Sequence, residues 1–257
     1  MKKIFLTIFD LLFPRRKNDA AIADISPVYF YKKIPRWDDK DIYPSMKTIF
    51  HYKDPTTKAM IKELKSSKNR HAAQIAAHAL ANFFQENNIR DAIIVPMPIS
   101  KKRRKKRGYN QCELIVEFLA KELFDRKITV IYKKKQDSRF KIHDSIMDTP
   151  RIPLESYILN LKSDQYIHGI KNSEMCFEIR TDILEKPVDT AKLALENRAS
   201  RLKANEGVFR AICTLSHLKK RIIVIDDVIT TGSTMHSAID TLRAAGAKNV
   251  SGVGIAH

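Results

Sequence analysis

The sequence predicts an α/β fold, with a parallel sheet of about five strands flanked by helices. Two observations carry this prediction. Residues 91–98 form a short apolar run that prolines end, a helical pattern follows at 110–124, and a second apolar run follows at 128–132. The same order of strand, helix and strand recurs over residues 221–256. Repeated units of this kind are typical of parallel sheets, because each parallel connection must cross one face of the sheet.

Two further helices are predicted ahead of the first strand, at residues 54–65 and 69–87. The first has a capping aspartate followed by proline, and the second is rich in alanine with apolar residues along one side. The helix of the second unit also has a single apolar face, and Gly246 stands where a C-terminal cap is expected. Val250–Ala256 is the closing strand of the predicted sheet.

We predict two regions in the chain. Residues 1–46 form an N-terminal segment, and residues 47–257 form the α/β domain with an insertion at about 136–187. The insertion is polar and shows few long apolar patterns, so we expect either an inserted subdomain or a long mobile loop, and such length usually means function or disorder.

The composition narrows the classes of partner and of site. Lys and Arg outnumber Asp and Glu by 47 to 29, and the net charge of +18 favours anionic partners such as nucleic acid or phosphorylated molecules. Cys112, Cys176 and Cys213 are widely spaced, which fits neither a disulfide framework nor a zinc ribbon. His71 and His78 share a helical face without a third ligand at metal spacing. We therefore expect a cytoplasmic protein without zinc.

The N-terminus begins with two lysines and an apolar run. Residues 4–13 are too short to span a bilayer, and the run includes an aspartate and leads into Pro-Arg-Arg-Lys instead of a signal-peptide cleavage site. The apolar residues have helical spacing. We expect a helix that docks on the protein, with contact to a membrane surface as the alternative.

Two adjacent carboxylates end an apolar run in the second unit, where open α/β sheets bind their ligands. A Thr-Thr-Gly turn and a helix N-terminus follow, and backbone N–H groups there attract anions. A monophosphate suits the turn and ribose hydroxyls suit the carboxylates, so the pattern predicts a site for ribose 5-phosphate. The structural alternative is an acidic turn with hydroxyl caps. The predicted binding residues are Asp226, Asp227, Val228, Thr230, Thr231, Gly232, Ser233 and Thr234.

This stretch resembles the phosphoribosyl diphosphate (PRPP) signature of the type I phosphoribosyltransferases: an apolar strand, two acids, two further residues and Thr-Thr-Gly. The resemblance implies that family's parallel sheet with a variable cap. It implies PRPP as the ligand, Mg²⁺ bound through PRPP and not at a site made of protein alone, and Asp226 and Asp227 as catalytic residues. Purine-salvage members often carry an acid at the position of Thr230, so hypoxanthine-guanine chemistry is not implied.

Seven consecutive cations follow the first predicted strand, and we expect them in a loop. In type I phosphoribosyltransferases the corresponding loop contacts pyrophosphate. Because a pyrophosphate uses about two or three cations, the surplus favours a polyanion such as single-stranded DNA, with a solvated charge run as the alternative. Tyr109 either stacks on a base or packs against its helix. The seven residues are Lys101, Lys102, Arg103, Arg104, Lys105, Lys106 and Arg107.

Other segments resemble the ComF/GntX branch of the family. They are Arg-Gly-Tyr-Asn-Gln at 107–111, the segment 50–65, and an Arg…Arg-Leu…Gly-x-Phe stretch that ends at Phe209. The chain departs from the branch in two ways. The four-cysteine zinc module that usually follows a segment like Leu-Leu-Phe-Pro is missing, and about fifty residues are inserted before Asp189, near a Lys-Pro at Lys186.

Two functions follow from the resemblance. The first is Mg-dependent phosphoribosyl transfer from PRPP to an acceptor that the sequence does not name, with the basic residues neutralising the departing pyrophosphate. The second is a protein that binds PRPP or a nucleotide without turnover and acts with single-stranded DNA in DNA uptake or processing. Release of pyrophosphate from PRPP discriminates between them.

Overall fold

The computed structural model of the chain describes residues 17–36, 44–133, 175–187 and 208–257. A six-stranded sheet lies at its centre. Its strands are β1 (Met46–Phe50), β2 (Asp91–Pro96), β3 (Thr129–Lys133), β4 (Cys176–Arg180), β7 (Arg221–Val228) and β8 (Val250–Ala256). They are parallel throughout, in the order β1-β8-β7-β2-β4-β3. A short antiparallel ribbon joins β5 (Leu184–Glu185) to β6 (Arg210–Ala211).

Helices flank this sheet, which confirms the predicted α/β class. In chain order they are α1 (Lys17–Ala20), α2 (Pro27–Lys33), α3 (Pro55–Ser66), α4 (Arg70–Glu86), α5 (Lys101–Arg107), α6 (Gln111–Asp125) and α7 (Ser233–Ala244). None of the helices in the described ranges is long and apolar enough to cross a membrane. The docking helix expected within residues 4–13 lies outside the described residues, and so does the segment 188–207 that carries most of the Arg…Arg-Leu stretch.

Capping residues define three helix ends, and two of them, at Asp54 and Gly246, were predicted. The Asp54 carboxylate accepts the Thr57 N–H at 2.8 Å at the start of α3, and the Asn69 side chain accepts the Ala72 N–H at 3.0 Å at the start of α4. Gly246 follows α7 with a φ of 101°, in the left-handed region that such a C-terminal cap requires. Local signals in the sequence therefore suffice to place these boundaries.

Alternate residues of β7 point into two apolar layers, as the pleat of a strand dictates. Ile223 and Ile225 pack in a core with α3, α4 and α6, while Ile222 and Val224 pack on the opposite side, where α7 covers the sheet. Both faces of this central strand are buried, so its sequence is continuously apolar until the two acids.

The connections from β2 and β7 leave the sheet in opposite directions. After β2 the chain crosses through α5 and α6 to β3, on one side, and after β7 it crosses through α7 to β8, on the other. The two strands are neighbours, with Pro96 opposite Ile225, and the Met97 N–H donates to the Ile225 carbonyl at 2.8 Å. This is a topological switch point, where a crevice opens outside the carboxyl ends of the strands.

The strand β4 differs from expectation, because it lies in the stretch assigned to an insertion at about 136–187. It pairs with β2 on one side and with β3 on the other, so residues 176–180 form an interior strand of the sheet. Only Phe177 and Ile179 of its five residues are buried, and such a short alternation is easily overlooked among polar neighbours. Residues 134–174, the greater part of the expected insertion, lie outside the described residues.

Candidate functional site

Asp226 and Asp227 lie near the carboxyl end of β7, at the mouth of the crevice between β7 and β2. Asp226 is half-buried, and Asp227 is 4% exposed. Asp226 Oδ1 accepts the Asp227 N–H at 2.8 Å, and the Cys112 thiol lies 3.5 Å from the same oxygen as a donor. The two acids therefore interact through one oxygen and the backbone, and Cys112 brings the N-terminus of α6 to them.

Burial sets the protonation of Asp226. Loss of solvation and the charge of Asp227 raise the pKa of Asp226 to about 7, since both disfavour a second carboxylate. Burial, and then the two carboxylates, raise the pKa of the Cys112 thiol well above its ordinary value. Cys112 is therefore a thiol at neutral pH, and it serves as a hydrogen-bond donor.

Asp227 has a cation beside it. Lys65, in the last turn of α3, places Nζ 3.4 Å from Asp227 Oδ2. This oxygen is buried and accepts no hydrogen bond from the part of the chain that the structure describes. Asp227 thus retains hydrogen-bonding capacity at an oxygen that lies beside an ammonium group.

The turn after β7 presents hydroxyls and free backbone donors. Gly232 has a φ of 75° and is the N-cap of α7, a left-handed conformation that side chains resist. No side chain caps this helix within the described residues. The hydroxyls of Thr231 and Ser233 lie 3.1 Å apart, and Thr230, Thr231, Ser233 and Thr234 are exposed. The arrangement suits an anion, because the first N–H groups of a helix lack partners and carry partial positive charge.

The seven cations form the helix α5 and not the expected loop. The Ser100 hydroxyl accepts the Arg103 N–H at 3.3 Å at its start, and Gly108, with a φ of 78°, ends it. Both signals stand in the sequence as an N-cap serine and a C-terminal glycine around good helix formers. Sequence reasoning missed them because the density of like charge favours an extended segment in an isolated peptide.

The cations of α5 divide into two groups. Arg104 forms an ion pair with Glu113, and Arg107 Nη1 donates to Gln111 Oε1 at 2.7 Å, so these two arginines fasten α5 to α6. Arg103 is exposed. The lysines are exposed as well and are Lys101, Lys102, Lys105 and Lys106.

Tyr109 connects the basic helix to the end of α3. Its hydroxyl donates to the Leu64 carbonyl at 2.6 Å and accepts the Lys68 N–H at 2.8 Å. The ring packs against the core, and burial raises the pKa of its phenol. The Tyr109 hydroxyl therefore bonds to the end of α3, a contact that the sequence-based alternatives did not include.

Comparison with known proteins concerns the part of this site that holds the acid pair and the Thr-Thr-Gly turn. Residues 182–257 match the family model of the phosphoribosyl transferase domain. The matched segment is less than a third of the chain, and it contains β7, the acid pair, the Thr-Thr-Gly turn, α7 and β8. No curated protein matches the chain.

The structure brings together the predicted residues of the turn and the acid pair, and it places α5 after the neighbouring strand of the sheet. Sequence reasoning missed two residues at the acid pair, Lys65 and Cys112, because each comes from a helix distant in the chain. Their alignment with β7 depends on the packing of α3 and α6 on the sheet. Within the described ranges, no three His, Cys, Asp or Glu side chains cluster in a way that could hold a metal ion.

Proposed function

We propose that the chain is a ComF-like phosphoribosyltransferase-domain protein that binds PRPP and transfers its phosphoribosyl group to an acceptor. The observation that carries the proposal is the position of the acid pair. Asp226 and Asp227 lie at the switch point of the sheet and within the segment that matches the phosphoribosyl transferase domain. The turn at 228–232 connects them to the N-terminus of α7, which no side chain caps among the described residues.

The two halves of the site suit the two halves of a ribose 5-phosphate. The backbone of residues 230–234 and their hydroxyls would hold the 5-phosphate, with Gly232 permitting close approach of the main chain. Asp226 and Asp227 would accept hydrogen bonds from the ribose hydroxyls. Asp227 Oδ2 supports this role, because a buried carboxylate oxygen that accepts no hydrogen bond among the described residues is costly unless a ligand supplies a donor.

Mg²⁺ fits this site as a companion of PRPP. The carboxylates beside the ribose position are oxygen ligands of the kind that Mg²⁺ prefers, and with few of them the ion would retain water and ligand oxygens. Bound with PRPP, Mg²⁺ would supply positive charge that stabilises the pyrophosphate leaving group. The cations of α5 would stabilise the same charge from the side of β2, and Asp226 and Asp227 would orient the ribose as positive charge develops at its anomeric carbon.

Calorimetry tests the proposal. Titration of Mg·PRPP into the wild type should give saturable binding, and Asp226→Asn with Asp227→Asn should weaken it by about 2–4 kcal/mol, since one hydrogen bond to a charged group contributes about 1.5–3 kcal/mol. Asp240→Asn, at an exposed acid on α7, is the matched control and should bind normally. Unchanged affinity in the double variant would overturn the assignment. Pyrophosphate release, screened over bases and amines, then reports turnover.

A second candidate is a PRPP-binding protein without turnover that acts with single-stranded DNA. The exposure of four lysines on α5 favours it, because a single pyrophosphate occupies only part of such a surface. A polyanion that follows the helix would contact several lysines and release counterions on binding. Pyrophosphate release with any acceptor argues for the first function, and salt-dependent oligonucleotide binding argues for the second.

A further inference from the structure

Lys65 brings a positive charge to the acid pair from outside the segment that matches the phosphoribosyl transferase domain. It lies on α3, which one helix and one strand separate from the seven cations of α5. Its side chain is 35% exposed and that of Asp227 is 6% exposed, so the contact joins a partly solvated ammonium to a buried carboxylate. We propose that Lys65 is a positioning residue of the phosphoribosyl site. Its ammonium holds Asp227 in place and reduces the repulsion between the acid pair and an anionic ligand. This inference rests on the proposed function.

The two carboxylates of the acid pair carry charge of the same sign as PRPP. PRPP carries several negative charges, and two neighbouring carboxylates would repel it unless cations compensate them. Lys65 lies 3.4 Å from Asp227 Oδ2, and its charge also favours the ionised form of Asp226, against the larger effects of burial and Asp227 that raise the pKa of Asp226. A single ammonium thus acts on both acids.

Burial of the Asp227 carboxylate also requires a nearby cation. Asp227 Oδ2 is shielded from solvent and has no hydrogen-bond donor among the described residues. A buried carboxylate without compensation is strongly destabilising, so removal of Lys65 should be felt in the fold as well as in binding.

Hydrogen bonds from Tyr109 fix the end of α3 that carries Lys65. Tyr109 bonds to the carbonyl of Leu64, the residue before Lys65, and to the N–H of Lys68 just beyond the helix. The end of α3 is therefore tied to the segment that follows α5. The same contact places Lys65 at the acid pair and joins the basic helix to it, so the elements that surround the crevice form one unit.

Three variants separate positioning from general charge. Lys65→Met removes the ammonium, Lys65→Arg keeps a cation, and Lys62→Met removes an exposed lysine of the same helix one turn earlier. In calorimetry with Mg·PRPP we expect Lys65→Met to weaken binding at least tenfold, Lys65→Arg to recover most of the loss, and Lys62→Met to bind like the wild type. Equal or tighter binding by Lys65→Met overturns the inference, since it would mean that Lys65 is idle or competes with the ligand.

A double-mutant cycle tests the contact without any ligand. Lys65→Met should lower the Tm by about 2–4 °C, a modest shift because the Lys65 side chain is partly solvated. Adding Asp227→Asn should restore the Tm, because the carboxylate left uncompensated is then gone. Additive effects of the two substitutions would contradict the coupling. A wild type that binds no PRPP overturns the proposed function and this inference with it, whereas a wild type that binds PRPP beside an unaffected Lys65→Met overturns the inference alone.

Discussion

Gly232 and Gly246 stand at opposite ends of α7, both in the left-handed region, with φ values of 75° and 101°. Their surroundings differ. Gly232 begins the helix beside the acid pair, whereas a Cβ at Gly246 would lie 3.0 Å from the backbone nitrogen of Ser216, away from the proposed ligand. The two glycines therefore allow backbone strain to be separated from ligand binding.

We predict that Gly232→Ala destabilises the fold by about 1–2 kcal/mol, the usual cost of a side chain in this conformation. Gly246→Ala should cost more, because its Cβ would also press against the backbone of Ser216. Only Gly232→Ala should also weaken Mg·PRPP binding, because the strained turn is the proposed site of the 5-phosphate. Chemical denaturation and calorimetry on the same two preparations provide the comparison. Loss of PRPP binding in Gly246→Ala as well would show that the effect at Gly232 is one of folding.

Asp226 should make stability depend on pH in an unusual direction for an aspartate. Its pKa is raised to about 7 in the folded protein by burial and by Asp227, whereas an unfolded aspartate titrates near 4. Between these values the folded state holds more protons than the unfolded state, so the contribution of Asp226 to stability falls as pH rises.

Asp226→Asn removes that loss. We predict that its Tm relative to the wild type increases from about pH 4 to about pH 7 and then levels off, reaching a gain of about 2 °C or more. Circular dichroism melts across this pH range measure it. Asp24→Asn, at an exposed aspartate, is the reference variant for the same melts. A flat difference for Asp226→Asn would contradict the assigned ionisation.

The helix α5 is the element whose role is most open to test. Arg104 and Arg107 hold it to α6, which leaves its four lysines directed to solvent. The charge of these lysines is therefore accessible to a ligand from solvent. Such a surface suits an extended anion.

Replacing Lys101, Lys102, Lys105 and Lys106 by alanine should weaken binding of a labelled single-stranded oligonucleotide. The slope of log affinity against log salt should flatten by about 0.7 for each phosphate that the variant no longer neutralises. PRPP affinity should persist, because Arg103, Arg104 and the hydroxyl turn remain. Fluorescence anisotropy across a salt series, with calorimetry beside it, distinguishes the cases. A wild type that binds no oligonucleotide at low salt would exclude the DNA candidate.

At the scale of the whole molecule, β4 joins the sheet to the α3–α4–α6 layer. Phe177 is fully buried and stacks on Phe84 of α4, with ring centroids 5.3 Å apart and an interplanar angle of 20°. Neighbours on both sides complete the ladder of β4. Its loss should therefore affect the entire fold and not an appended segment.

Phe177→Ala should lower the free energy of unfolding by about 3–5 kcal/mol, the range for truncating a buried phenylalanine. Phe124→Ala, at a residue that is 50% exposed, should lower the free energy of unfolding by clearly less, because about half of its surface already faces water. Chemical denaturation of both variants gives the two values. A small effect at Phe177 would mean that residues 176–180 pack as a separable insertion after all.

Local pattern determined much of this molecule. The apolar run that ends in Asp226 and Asp227, the Thr-Thr-Gly turn, the capped helices and Gly246 depend on neighbours in the chain, and sequence reasoning placed them in the predicted α/β class. The capping residues Ser100 and Gly108 also indicate locally that the seven cations form a helix, although the density of like charge favoured a loop.

Tertiary structure alone decided that β4 is an interior strand, because its five residues gain stability only from β2 and β3. It also decided that Lys65 and Cys112 meet the acid pair from helices far away in the chain. Contacts at such separation follow from how helices pack on a sheet, and no spacing along the chain encodes them.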